Sequence, residues 1–445
     1  MSTLADLRAL HRGPVIEPSD RGFEAARTTF NGMLDRRPEL ITQPLDTADA
    51  VTAVKYAREA GLPVAVRGGG HGVAGHCVGD GSLVVDLRLM REVAVDPEAR
   101  TASVQGGALW DDVDPVCQRH GLAMPGGTFG DTGVAGLTLG GGIGHLSAKH
   151  GLTLDNLVAV RLVTAAGEDI SVSEDNEPEL FWALRGGGGN FGVVTEFTFR
   201  LHPVGPLYGG SIDFNLDDAP GVLRAWRDLM GDPPDGFQSF ALLYRSPFTG
   251  LAGVNISVTD LEGEVGPELV DRLVGSRTPV AAAARNMGYP ELQNIYARMP
   301  FGLRNYWSGR FLRTLADEVL DLALEPIVGR GEDGSVLFEP FVGAVARVSP
   351  DATAFAGRDA RWNATFTSAW VDPSEDEPKI ELARAFSRGL APWALAGGYL
   401  NYAVEASADG LEAEFGAYRF ERLRAVKRAF DPDNVFRFNH NISPD

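Results

Sequence analysis

The sequence predicts an α+β protein of more than one domain, and three observations carry that expectation. At 445 residues it exceeds the roughly 100–200 residues of a single domain. Its 54 glycines gather in clusters within the first half, where short apolar runs empty into turns. Beyond Pro203 the texture changes to longer strand-like runs alternating with amphipathic helices, until the glycines return at Gly397-Gly398.

In chain order, Asp46 or Thr47 caps a helix whose Val51, Val54 and Ala57 share a face and which Gly61 stops. Leu62-Pro63-Val64-Ala65-Val66 reads as a buried strand ending at Arg67-Gly68-Gly69-Gly70-His71-Gly72. A strand over 82–87, short sheet partners at 93–95 and 102–104, and a helix near 108–120 follow. A second cluster runs from Pro125-Gly126-Gly127-Thr128 to Gly144. Residues 156–163 and 170–172 form a hairpin about Ala166-Gly167, and Pro178 starts a helix that runs into Gly186-Gly187-Gly188-Gly189-Asn190-Phe191-Gly192 and then a strand at 193–199. Later strands are expected at 210–214, 240–244, 336–339 and 364–367, a capping box at Ser374 and Glu377, a strand at Tyr399-Leu400-Asn401-Tyr402, and a terminal helix carrying Phe420, Leu423, Val426, Lys427 and Phe430.

Composition excludes several classes of function. Sixty acidic against forty basic residues give a net charge of −20, which argues against nucleic acid or an anionic membrane as partner. Cys77 and Cys117 are too few for a disulfide framework or a cysteine metal site. The start of the chain reads as neither signal peptide nor membrane span, so a cytoplasmic protein is expected. His145 and His150 are not at the i, i+4 spacing of a zinc protease, and no G-x-S-x-G elbow occurs. Gly187, Gly189 and Gly192 spell G-x-G-x-x-G, but a helix precedes and a strand follows, the reverse of a dinucleotide fingerprint.

The glycine clusters point instead to a backbone pressed against a flat or phosphorylated ligand. Around His71 the converging N–H groups suit a pyrophosphate, and a tight structural turn with a surface histidine fits that stretch alone equally well. Chemistry then reduces to a few histidines and tyrosines beside an imported electron acceptor.

Arg67 to His71, Gly126-Gly127-Thr128, Gly133 to Gly136, Gly140 to Gly144, His150-Gly151 to Asn156, Leu180 to Gly186, Asn190 to Thr195, Tyr399 to Tyr402, and Asp431 to Asn434 with Asn439-His440-Asn441-Ile442 occur in this order across nearly the whole chain. In these motifs the chain resembles the berberine-bridge-enzyme-like flavin oxidases of the vanillyl-alcohol-oxidase fold superfamily. The resemblance implies a PCMH-type two-part FAD-binding domain at 1–203, an inserted substrate domain of antiparallel sheet covered by helices at 204–395, and a C-terminal return to the FAD-binding domain at 396–445. It implies FAD contacts from Arg67, Gly68, Gly69, Gly70, His71, Gly72, Gly127, Thr128, Thr132, Gly133, Gly136, Leu137, Gly141, Gly142, Gly144, His150, Gly151, Asn156, Gly192, Val193, Val194, Tyr399, Asn401, Asn439, His440 and Asn441. His71 is expected to bond covalently to the 8α-methyl of FAD. Phe129 stands where many members carry a second, cysteinyl link, so a single attachment is expected.

By the same resemblance Tyr402 is the expected catalytic base and Tyr306 the aromatic expected to face the flavin from the substrate domain. Leu137, Val404 and Ser308 replace a histidine, an acid and a lysine that other members carry. Thr132 holds the position the family uses to gate oxygen. The implied activity is removal of a hydride from a C–H beside an alcohol or amine of a small organic substrate to flavin N5, with O2 reduced to H2O2. The alternatives are a flavin-binding protein without turnover and a dehydrogenase using another acceptor. No metal is expected.

Overall fold

Three sheets carry the architecture of the computed structural model, which describes residues 3–404 and 408–445. The first aligns Val15–Ile16, Leu40–Thr42, Leu83–Asp86 and Val64–Arg67, the last three mutually parallel. Parallel pairing needs crossovers, and the helix Thr47–Glu59 supplies one. Its N-cap is Asp46, whose carboxylate accepts from the Asp49 N–H, and Gly61, at φ +69°, lies just past its end. The buried face is Ala50, Ala53, Val54 and Ala57.

The second sheet is antiparallel throughout, in the order Val93–Asp96, Thr101–Gln105, Val193–Arg200, Leu157–Val163, Asp169–Ser173. A Cβ on Gly68, just past the first sheet's Val64–Arg67, would lie 3.1 Å from the carbonyl of Gly106, just past the second sheet's Thr101–Gln105. The third sheet is the largest, and its central order is Leu207–Phe214, Ala252–Asp260, Ala241–Arg245, Gly334–Pro340, Trp362–Trp370, Arg304–Leu312. Alternation along these strands sorts residues between two faces. Val254, Ile256, Ala241, Leu243, Val336, Phe338, Ala364 and Phe366 pack in one buried core with residues of the helices Ala219–Gly231, Asp317–Leu324 and Asp376–Gly389. The opposite face is set by the register Leu242 to Leu337 to Thr365 and Thr367 to Trp307, and it looks back toward the glycine clusters.

Specific polar contacts tie the large sheet to the rest. Arg358, whose side chain is wholly buried, pairs with Asp155, and Asn31 donates through Nδ2 to the carbonyls of both Val73 and Asn305. The helix Ala417–Phe430 returns to the glycine-rich side, where Lys427 Nζ is enclosed by Asn190 O at 2.7 Å, Asp431 Oδ2 at 2.7 Å and Phe436 O at 3.0 Å.

Two local expectations need correcting. Ser374 and Glu377 do not form a capping box. Asp372 caps a single turn, Pro373–Glu375, by accepting from the Ser374 N–H, and the helix proper begins at Asp376. Tyr399 to Tyr402 is not a strand but a short helical turn, Leu400–Tyr402, entered from an extended Tyr399. Proximity of the two tyrosine rings follows, because residues three apart share one side of such a turn. Among the described residues no helix is long and apolar enough to cross a membrane, and no group of three or more His, Cys, Asp or Glu is placed to hold a metal.

Candidate active site

A cavity of about 840 Å³ opens between the glycine loops and the inner face of the large sheet, within the usual range for a ligand site. One wall is backbone: the loops at 68–77, 127–140 and 186–192, joined by Phe436, Phe438, Asn439 and His440. Side chains Leu242, Leu337, Thr367, Trp307, Tyr296 and Met299 form the other, and Tyr399, Asn401 and Tyr402 close the end.

The backbone wall depends on missing side chains. A Cβ on Gly69 or Gly133 would fall 2.6 Å from the other's Cα, so these two loops touch main chain to main chain. Gly136, Gly188 and Gly189 would project a Cβ into open space. Gly70, at φ +76°, turns the chain just before His71. Buried polar atoms around this wall lack protein partners, among them His76 Nε2, Asn439 Oδ1 and Asn441 Oδ1. Unpaired buried polar atoms are costly, and a flat ligand with a phosphorylated, hydroxyl-bearing tail satisfies them. These residues therefore fit FAD, with the glycines admitting its backbone-close groups.

His71 stacks on Phe30, ring centroids 4.3 Å apart. Burial lowers its pKa, which keeps the imidazole neutral near neutral pH. His440 directs Nε2 to the Leu400 carbonyl at 3.0 Å and so braces the tyrosine turn.

At the closed end Tyr399 and Tyr402 meet edge-on at 4.7 Å. The Tyr399 hydroxyl accepts from the Gly142 N–H at 2.8 Å and from Asn401 Nδ2 at 2.9 Å. Tyr402 donates to Glu339 Oε1 at 3.0 Å, and Asn363 Nδ2 donates to Glu339 Oε2 at 2.7 Å. Glu339 is 1% exposed, and burial pushes its pKa up to about 7. Burial, with the nearby Glu339 charge, also raises the Tyr402 pKa well above its ordinary value. Trp307 packs edge-on against Tyr402 at 5.4 Å.

Of the expected site residues, Gly68 to Gly72, Gly127, Thr128, Thr132, Gly133, Gly136, Leu137, Gly192, Val194, Tyr399, Asn401, Tyr402, Asn439 and His440 line the cavity. Others stand behind it. Arg67 is buried beneath Gly70 and donates to Ala26 O. Gly141, Gly142 and Gly144 pack against Tyr399, Thr153 and the Gly126 carbonyl respectively, and Val193 is in the core. His150, Gly151 and Asn156 form a structural knot: Asn156 Nδ2 donates to His150 O and Leu152 O, and His150 stacks on His202 at 3.8 Å. Tyr306 is the clearest correction. Alternation turns it to the helical side of the sheet, where Arg384 Nε donates to its hydroxyl at 3.0 Å, and its neighbour Trp307 faces the cavity instead. Sequence reasoning missed Glu339, Tyr296 and Asp131. A signal existed for Glu339: in Val336-Leu337-Phe338-Glu339 alternation sets the acid beside Leu337, on the face opposite the core.

Fold and site together define a flavin-binding oxidoreductase. An FAD-binding-domain family model matches residues 38–173, and a berberine and berberine-like model matches residues 398–443. The chain is 32% identical to (R)-6-hydroxynicotine oxidase of Paenarthrobacter nicotinovorans over 98% of this chain and 97% of that one. It superposes on the crystal structure of 6-hydroxy-D-nicotine oxidase from Arthrobacter nicotinovorans with a TM-score of 0.89 at 31% identity, covering 98% of each chain. Glucooligosaccharide oxidase from Acremonium strictum, described with a 6-S-cysteinyl, 8α-N1-histidyl FAD, superposes with a TM-score of 0.86 at 25% identity over 99% of each chain. The chain belongs to the berberine-bridge-enzyme-like family of FAD-linked oxidoreductases.

Proposed function

We propose that the protein is an FAD-dependent oxidase acting on a C–H beside an alcohol or amine of a small organic substrate, with Tyr402 and Glu339 as the proton-handling pair. The observation that carries this reading is the 3.0 Å hydrogen bond from Tyr402 to a buried Glu339 at the cavity's closed end. When bound, FAD supplies the hydride acceptor and passes the electrons to dioxygen, giving hydrogen peroxide.

Tyr402 by itself is a poor base, because its hydroxyl holds its proton more tightly than an exposed tyrosine. Glu339 resolves this. As Tyr402 accepts the substrate O–H or N–H proton, its own proton moves to Glu339 Oε1, so charge never has to rest on the phenol. Asn363 fixes the far carboxylate oxygen, and Trp307 and Tyr399 hold the phenol ring from two sides. Leu242, Leu337 and Met299 line the cavity, and such an apolar stretch of wall favours a compact, apolar-bodied substrate. The relatives named above act on a hydroxynicotine and on glucooligosaccharides, so an amine and an alcohol are both within reach of this chemistry.

His71 is the proposed attachment point, through a single 8α-histidyl bond; its neutral imidazole and Phe129 at the second-link position support this. Acid precipitation should leave a yellow pellet, and His71→Ala should release its flavin to the supernatant. Adding a panel of cyclic amines, alcohols and sugars without oxygen should bleach the flavin, and air should restore it with peroxide formed. Bleaching without aerobic recovery refutes the oxidase reading in favour of a dehydrogenase.

A further inference from the structure

His71 and Asp131 form an incomplete pair. Nε2 of His71 and Oδ1 of Asp131 are both buried without a hydrogen-bond partner. They stand 3.9 Å apart, with side-chain exposures of only 12% and 15%. Leaving a buried donor or acceptor unmade costs about 1–3 kcal/mol, and a gap of this length closes with a small torsion of either side chain.

The surroundings hold the two in register. Phe30 lies flat against the imidazole, its plane 16° from parallel, so the ring slides in its own plane more easily than it tips. The main-chain contact of Gly69 with Gly133 locks the loop carrying His71 to the loop carrying Asp131. The Asp131 turn is itself fixed, by Thr132 N donating to Phe129 O at 3.2 Å and Trp110 N donating to Thr132 O at 3.2 Å.

Once the gap closes, the pair selects a tautomer. With Nε2 turned toward a carboxylate, the single proton of a neutral imidazole stays on Nε2 and the lone pair belongs to Nδ1. We propose that Asp131 is the positioning residue for flavin attachment: it holds His71 as the Nε2–H tautomer, leaves Nδ1 as the nucleophile, and receives the Nε2 proton as the bond forms. The inference rests on the histidyl attachment proposed above. His71 Nδ1 gives its lone pair to the 8α carbon, one 8α C–H bond breaks with loss of its proton, and the ring proton passes from Nε2 to Asp131. The electron pair of the broken C–H bond is held by the flavin until dioxygen takes two electrons and two protons as hydrogen peroxide.

The test uses the full chain expressed with excess riboflavin, and reads total flavin by absorbance and covalent flavin by intact mass and acid precipitation. Asp131→Asn keeps the shape and removes the charge. It should bind flavin and attach it about 10²-fold more slowly in air, at the low end of what a positioned base contributes, and Asp131→Glu should recover part of that rate. NMR of the flavinyl peptide from the wild type should show the bond at Nδ1. Attachment by Asp131→Asn at the wild-type rate overturns the proposal, as does a wild-type bond at Nε2. Should Asp131→Asn bind no flavin at all, Asp131→Ser takes its place in the same comparison, and its attachment at the wild-type rate overturns the proposal. A wild-type pellet without colour sinks the His71 attachment itself, a result separable from failure of Asp131 alone.

Discussion

Glu339→Gln removes a proton acceptor while keeping a side chain of the same shape. In the wild type Glu339 takes hydrogen bonds from Tyr402 at 3.0 Å and Asn363 at 2.7 Å. A glutamine oxygen can keep only one of these, and its amide then faces the other partner as a donor. Tyr402 thereby loses its proton sink, and reduction of the flavin by substrate should slow by about 10²–10⁴-fold. The pH dependence is a second readout. Burial raises Glu339 from 4.5 to about 7, roughly 3 kcal/mol at 1.36 kcal/mol per pH unit. Only the ionised form accepts the proton, so the wild-type rate of flavin reduction should rise about tenfold per pH unit below 7 and level off above it; the variant should lack this limb. Stability runs with the opposite sign. Because the folded pKa is raised, the wild type is most favoured below pH 4.5 and loses this contribution as pH climbs through about 7. Glu339→Gln does not ionise, so its unfolding free energy should gain on the wild type over that window. Anaerobic stopped-flow across pH measures the first effect and denaturant titration the second. A Glu339→Gln enzyme that reduces its flavin at the wild-type rate, or that keeps the limb near pH 7, would refute the relay.

Tyr402→Phe should slow anaerobic flavin reduction by about 10²–10⁴-fold and leave the oxidised spectrum unchanged, whereas Tyr306→Phe should leave the rate intact, since that hydroxyl bonds Arg384 away from the cavity. Equal losses in both variants would contradict the placement of the two rings. Gly133→Ala would bring a Cβ to 2.4 Å from Gly69 N, and parting these loops should lower stability by about 1–3 kcal/mol and reduce bound flavin per chain. Lys427→Met deletes one partner of a wholly buried pair with Asp431 and should cost about 3–5 kcal/mol in chemical denaturation; a change below 1 kcal/mol would show that the carboxylate finds other support.

Much of the glycine-rich half was legible because its signals are local. Asp46 and Gly61 bracket a helix through capping and positive φ, and both act over a turn or less. The hairpin at Ala166-Gly167 is local in the same sense: Asp169 faces Val163 across it. The motifs also carried the identity of the cavity's backbone wall, though not which members face inward. Arg67 belongs to the same motif as His71 yet props the loop from beneath, a distinction that depends on where Ala26 lies. Tyr306 and Trp307 are adjacent, and only the register of Arg304–Leu312 against Trp362–Trp370 decides which enters the cavity. Tyr399 to Tyr402 misled for a related reason: a run as short as Tyr-Leu-Asn-Tyr suits a strand or a turn, and tertiary contacts from Gly142 and His440 selected the turn. Glu339 reaches Tyr402 across 63 positions of sequence, a separation at which spacing carries no information.

The buried ammonium of Lys427 has a consequence for how the protein is made. It joins Asn190, from the third glycine cluster, to Asp431 and Phe436, while the Asn190 side chain accepts from the Ile442 N–H. The wall of the cavity that begins at Gly68 is therefore finished only by residues some 370 positions later. During synthesis at about 5–20 residues per second, a nascent chain waits tens of seconds between emergence of His71 and arrival of the segment that closes the cavity around it. Capture of the cofactor should accordingly be a late event, following completion of residues 399–442. Until then the open glycine loops are a stretch of unshielded backbone, and chains halted before residue 399 should be more protease-sensitive there than the completed protein.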